Sequence, residues 1–83
     1  MRIEPLRDYV VVTLRPEEGN GHRGGLVVVR AAKNAIREAE VVGVGPECRD
    51  IHMGDTVLIN LLVASQIGEQ YLVPEPTILG TLP

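Results

Sequence analysis

Only one stretch of this sequence has the composition of a helix, and it could not bury one. Residues 31–40 include Ala31, Ala32, Ala35 and Ala39 beside Lys33, Arg37, Glu38 and Glu40, types with good intrinsic helix propensity. Ile36 is the one large apolar side chain among them, so a helix here would have no apolar stripe to set against a core. The stretch reads as a loop that feeds a strand, and the fold has to be built from strands.

Strand signals are frequent. Residues 9–14 are aromatic and β-branched in type, and alternation puts Val10, Val12 and Leu14 on one face. Pro5 is compatible with the start of an edge strand, where a missing N–H matters little, and residues 16–19 stop the strand. Residues 40–45 form a second strand closed by Gly45-Pro46, with Gly43 marking a bulge or a close backbone approach. Residues 46–53 are polar and irregular. Gly54-Asp55 is a turn signal, followed by a third strand over 56–60. Residues 61–67 stay apolar apart from Ser65 and Gln66, Gly68-Glu69 turns, and a fourth strand covers 70–73. Pro74 and Pro76 end it, and residues 78–82 make a short last strand. Short strands at frequent turns indicate one small all-β barrel or sandwich over residues 1–83, with no internal repeat.

Composition limits the core. The chain has 83 residues, no Phe and no Trp, and its aromatics are Tyr9 and Tyr71. A domain of this size buries only about 60% of the surface its unfolded chain exposes. With a core of Val, Leu and Ile, self-association is expected. Eight basic residues against eleven acidic ones give a net charge of −3, which argues against a phosphate backbone as partner; the stacking aromatics of a single-strand binder are missing too. No apolar run approaches the length of a membrane-spanning helix. Residues 1–5 lack the apolar region of a secretory signal, and the single Cys48 fits a reducing compartment. A cytoplasmic location is the expectation.

The run from Gly19 to Val29 is the oddest part of the chain. Gly19, Gly21, Gly24 and Gly25 surround Asn20, His22 and Arg23, and the run ends in Leu26, Val27, Val28 and Val29. Glycine lacks the Cβ restraint and raises chain entropy, so this is a poor start for a packed element. The apolar block is too hydrophobic for a solvated loop. It is either a buried strand after a glycine turn or a segment that orders on something else.

Catalytic constellations are sparse. His22 and His52 are the two histidines, and Cys48 stands four residues before His52. A structural zinc wants four nitrogen or sulfur ligands, and these are three candidates in all. Gly19-x-Gly21 and Gly43-x-Gly45 lack the helix N-terminus that a phosphate loop needs. Asp8, Asp55 and the Glu17-Glu18 pair read as turn residues and solvated charge. Lys33, the one lysine, lies beside no hairpin tip of the kind a lipoyl or biotinyl carrier modifies. Neither an enzyme nor a cofactor or metal is expected.

The opening pattern Ile3-x-Pro5-Leu6-x-Asp8-Tyr9-Val10-x-Val12 resembles that of the GroES-type co-chaperonins. Further landmarks follow in the family's order: Gly24 to Val28, Glu40 to Gly45, Gly54 to Ile59, Tyr71 to Glu75 and Ile78 to Leu82. Together they cover nearly the whole chain. The resemblance implies a small irregular β-barrel with a long mobile loop, here about residues 17–34. It implies a ring, usually heptameric, that caps a GroEL-type chaperonin and assists the folding of enclosed non-native proteins. The loop's apolar tripeptide, Leu26, Val27 and Val28 in this chain, would dock on the chaperonin. Gly19, Gly21, Gly24 and Gly25 would supply its flexibility. The family's N-terminal strand pairs with a neighbour's C-terminal strand, which sets Ile3 and Leu6 against Ile78, Leu79 and Leu82 across the subunit interface.

Some residues depart from the family pattern. Tyr9 stands where the family usually has Arg or Lys. Residues 46–53 are all that joins the second strand to the Gly54-Asp55 turn, where typical members carry a long roof hairpin; little or no roof is expected, as in some reduced virus-encoded relatives, so a viral origin is plausible. Leu61, Leu62, Val63 and Ala64 are more apolar than the expected polar turn, and core is the first explanation, with a ring-interior or partner surface second. The rival to a co-chaperonin is a structural barrel protein, such as a viral assembly or decoration subunit, that reuses the fold.

Overall fold

The computed structural model describes residues 2–15 and 35–83. Within them the elements are six strands, β1 (Tyr9–Leu14), β2 (Ile36–Val44), β3 (Thr56–Asn60), β4 (Ser65–Ile67), β5 (Gln70–Pro74) and β6 (Gly80–Leu82), with 3₁₀ turns at Leu61–Val63 and Glu75–Thr77. All five pairings are antiparallel and join the strands into one sheet in the order β4-β5-β1-β2-β3-β6. This bears out the all-β expectation, as an incompletely closed barrel whose edges are β4 and β6.

Alternation in β1 puts Val10 and Val12 fully inside, with Leu14 packed at the margin. Ala39 and Val41 of β2, Val57 and Ile59 of β3, Val73 of β5 and Ile51 of the 46–53 connection complete the buried cluster. These side chains come from four strands of a single sheet, so the sheet must curl to enclose its own inner face. Val11 points to the opposite face and is buried nonetheless, 1% exposed. There the N-terminal segment covers it: a Cβ on Gly43 would lie 3.5 Å from both Pro5 Cδ and Val11 Cβ. Pro5 thus lies over the sheet rather than opening a strand, and residues 2–6 form no strand in the single chain.

The irregularity expected at Gly43 is present. Val11 pairs with Gly43 but Val12 pairs with Val41, so Val42 is the extra residue of a β-bulge. Gly45 makes the closer backbone approach, since a Cβ there would run into Arg7 O. The Gly54-Asp55 turn has Gly54 at φ 93°, and the Gly68-Glu69 hairpin has Gly68 at φ 64°, a backbone region glycine occupies without a Cβ penalty. Positive φ at the first of two loop residues is the type II′ pattern that suits a two-residue hairpin.

Several strand bounds differ from the sequence reading: β2 ends at Val44 and β5 at Pro74, each one residue off, and the last strand begins at Gly80, not Ile78, because Ile78 N–H closes the 3₁₀ turn on Glu75 O. β2 begins at Ile36, not Glu40, because residues 36–40 pair with Asn60 to Thr56; their inward residue is the small Ala39, which gives little hydropathy signal. β4 was not foreseen as a strand. It exists through its pairing with Leu72, Tyr71 and Gln70.

Candidate functional site

β1 ends and β2 begins at one rim. Leu14 pairs with Ala39, Arg15 N–H donates to Glu38 O at 3.0 Å, and the Arg37 guanidinium donates through Nη2 to Arg15 O at 3.1 Å. These contacts tie Arg15, just after β1, to the first residues of β2. The loop residues singled out from sequence, Gly19, Gly21, Gly24, Gly25, Leu26, Val27 and Val28, lie outside the described residues, as does His22. At the same rim Ile36 pairs with Asn60, and the 3₁₀ turn Leu61–Val63 follows.

That turn corrects the core expectation in part. Leu61 and Ala64 do pack against the buried cluster. Leu62 and Val63 point outward, 81% and 49% exposed. Asn60 sets the geometry, its Oδ1 accepting the Leu62 N–H at 2.9 Å.

At the opposite end, the 46–53 connection is held by one carboxylate. Glu75 Oε2 accepts the backbone N–H groups of Arg49, Asp50 and Ile51 at 3.1, 2.8 and 3.0 Å, and Oε1 accepts Arg49 N–H at 3.2 Å. Glu75 N–H in turn donates to Asp8 O at 2.8 Å, tying this cluster to the start of β1. Desolvation pushes the Glu75 carboxyl up, but the bonds from Asp50, Arg49 and Ile51, with the Arg49 charge, outweigh it and hold the group below its ordinary value. A second carboxylate closes the connection: Asp55 Oδ2 accepts His52 N–H at 2.9 Å. Sequence reasoning missed Glu75, because a Glu between two prolines carries no local sign of partners some two dozen residues away.

The residues expected at a subunit interface lie in the N-terminal segment and in and just before the edge strand β6. β6 is an edge strand, paired with β3 only. Leu79 is 54% exposed while its N–H donates to Leu58 O at 2.9 Å. Ile78 and Leu82 are half-buried, Ile78 against the core. Ile3 is half-buried and Leu6 is 64% exposed.

Cys48 and His52 do not act together. The Cys48 thiol donates to Tyr9 O at 3.6 Å, whereas His52 Nδ1 lies 4.0 Å from Asp55 Oδ2. Burial pushes the thiol up, the Glu75, Asp8 and Glu47 charges add to this, and a hydrogen bond at Gly45 only partly opposes it. A thiol held protonated is a poor nucleophile. Among the described residues no group of three or more His, Cys, Asp or Glu side chains is placed to hold a metal, and no helix is long and apolar enough to cross a membrane.

A small fold built from six antiparallel strands in one sheet is what the opening sequence pattern implied. The family model of the chaperonin 10 kDa subunit matches residues 2–77. The chain belongs to this co-chaperonin family. It is 37% identical over 84 residues to the co-chaperonin GroES of Thermodesulfovibrio yellowstonii, covering 96% of each chain. It is 33% identical over 86 residues to that of Sulfurovum sp. NBC37-1, covering 99% of each, and 34% identical over 95 residues to that of Chlamydia caviae, covering 99% of this chain and 92% of the relative. Near-complete coverage of both chains in the Sulfurovum comparison means that another co-chaperonin GroES has nearly this length.

Proposed function

We propose that this co-chaperonin caps a GroEL-type chaperonin by docking Leu26, Val27 and Val28, with a register ending at Val29 as the alternative. In this reading the chain works as a ring, of seven subunits as is usual in the family. Neighbours join along Ile3 and Leu6 on one side and Ile78, Leu79 and Leu82 on the other. The capped complex encloses non-native proteins in the cytoplasm, and residues 46–53 stand in place of a roof.

The observation that best supports the docking segment is the clamped rim. Arg15–Glu38 and Arg37–Arg15 hold both ends of the 16–34 segment at one place on the barrel. Two flanking positions fixed this close together suit a segment that has to be presented from one place on the barrel.

Magnitudes say how it would work. Burying three apolar side chains gains about 1.5–3 kcal/mol each. Fixing the backbone of some five residues costs about 1–2 kcal/mol each, and the two nearly cancel. A single docking segment is therefore weak. A ring makes the later contacts intramolecular, which gains a factor of about 10²–10⁴, while weak individual contacts allow release.

The test is nucleotide-dependent capture by a GroEL-type chaperonin. Leu26→Asp is expected to abolish capture and leave the ring's mass unchanged. Normal capture of that variant would overturn the docking assignment.

A further inference from the structure

Leu62 is the most exposed large apolar side chain of the described residues, and Val63 beside it is half exposed. Nothing in the turn that carries them is loose. Leu61 and Ala64 are fastened to the core on either side, Leu62 N–H is capped by Asn60 Oδ1 at 2.9 Å, and Ala64 N–H donates to Leu61 O at 3.3 Å. The fold presents two adjacent apolar groups to solvent from a built 3₁₀ turn. Neither belongs to the edge strand β6. Exposed apolar groups gathered in one place mark contact surfaces more often than isolated ones do.

Their position indicates the occupant. Asn60, immediately before the turn, pairs with Ile36, two residues after the 16–34 segment ends. Val28 lies seven residues from Ala35 (35 − 28 = 7), a span of at most about 25 Å when fully extended. A protein that holds Val28 is thus within reach of Leu62. We infer that Leu62 and Val63 form a second, fixed contact with the chaperonin, on apolar surface beside the groove that takes the docking segment. This rests on the docking reading above. The turn is already ordered, so its contact carries little of the ordering cost that weakens the loop. It would set the cap's orientation, while the loop provides capture.

The experiment uses the full chain with Leu62→Ser and Val63→Ser together, beside the unaltered chain and Leu26→Asp. Binding to a GroEL-type chaperonin is measured by titration in the presence of nucleotide, and ring mass by sedimentation. The double variant is expected to keep its circular dichroism and ring mass and to bind about tenfold more weakly or worse. Unchanged affinity overturns the inference, with the docking reading intact if Leu26→Asp has lost binding. A changed ring mass overturns it by assigning the turn to a second copy of the chain. Normal binding with an altered yield of refolded substrate overturns it by assigning the turn to the enclosed polypeptide. Failure of the unaltered chain to bind brings down the docking reading and this inference with it.

Discussion

Glu75 Oε2 accepts the Asp50 N–H at 2.8 Å, and the same oxygen also takes the neighbouring N–H groups of Arg49 and Ile51. One carboxylate thus orders a connection that has no strand of its own. Three successive N–H groups converging on an anion form a concave nest, which suits a charged acceptor better than a neutral one. Glu75→Ala is expected to lower Tm by several degrees and to speed amide exchange at residues 49–51. Glu75→Gln, which keeps one acceptor oxygen, should fall between. Amide exchange followed by NMR separates this local release from global unfolding.

A pH dependence follows from the same contact. The folded carboxyl sits below its ordinary value of 4.5, so between the folded and unfolded values the unfolded chain binds more protons, and stability rises with pH. The contribution of Glu75 is complete above about pH 4.5 and is lost as pH falls through the folded value. Urea unfolding from pH 7 to pH 3 should show the gap between the unaltered chain and Glu75→Gln closing at the acid end. A gap constant across that range would contradict the assignment.

Gly43, near the end of β2, and Gly45, just past it, should respond very differently to a methyl group. At Gly45 the new Cβ meets Arg7 O, a backbone atom that cannot step aside, while Gly45 N–H donates to Tyr9 O at 2.9 Å and fixes the approach. Gly45→Ala is expected to destabilise by about 1–3 kcal/mol. At Gly43 the nearest atoms stand at 3.5 Å, an ordinary contact, so Gly43→Ala should change stability by less than about 0.5 kcal/mol. Chemical denaturation of the two variants checks both.

Leu6 and Leu79 are exposed in the single chain, so charge at these positions leaves the barrel's own core untouched. If they meet across subunits, the double variant Leu6→Asp with Leu79→Asp is expected to sediment as a monomer with unchanged circular dichroism. An intact ring in that variant would remove both residues from the interface.

Much of the fold was legible in short-range pattern. β1 and β3 agree with the sequence reading residue for residue, and β5 to within one, because β-branched residues at period two are a local signal. The turns at Gly54 and Gly68 and the bulge beside Gly43 were legible because each needs a backbone geometry that glycine supplies. The first half of β2 was not, since its inward residue is Ala39 and its outward ones include Glu38 and Glu40. Of the candidate site, the glycine-rich run and its apolar block lie outside the described residues. Glu75 and the outward turn of Leu62 had no local signal.

The sequence by itself determined β1, β3 and β5, the turns at Gly54 and Gly68 and membership of the co-chaperonin family, since these rest on neighbouring residues and on an ordered set of motifs. Only the tertiary structure decided that Val11 is buried on the barrel's outer side under Pro5, that Glu75 holds residues 49–51, and that Leu62 stands in solvent while Leu61 does not. Each depends on segments far apart in the chain meeting in space. An apolar residue or a carboxylate reads the same in sequence whichever way the fold turns it.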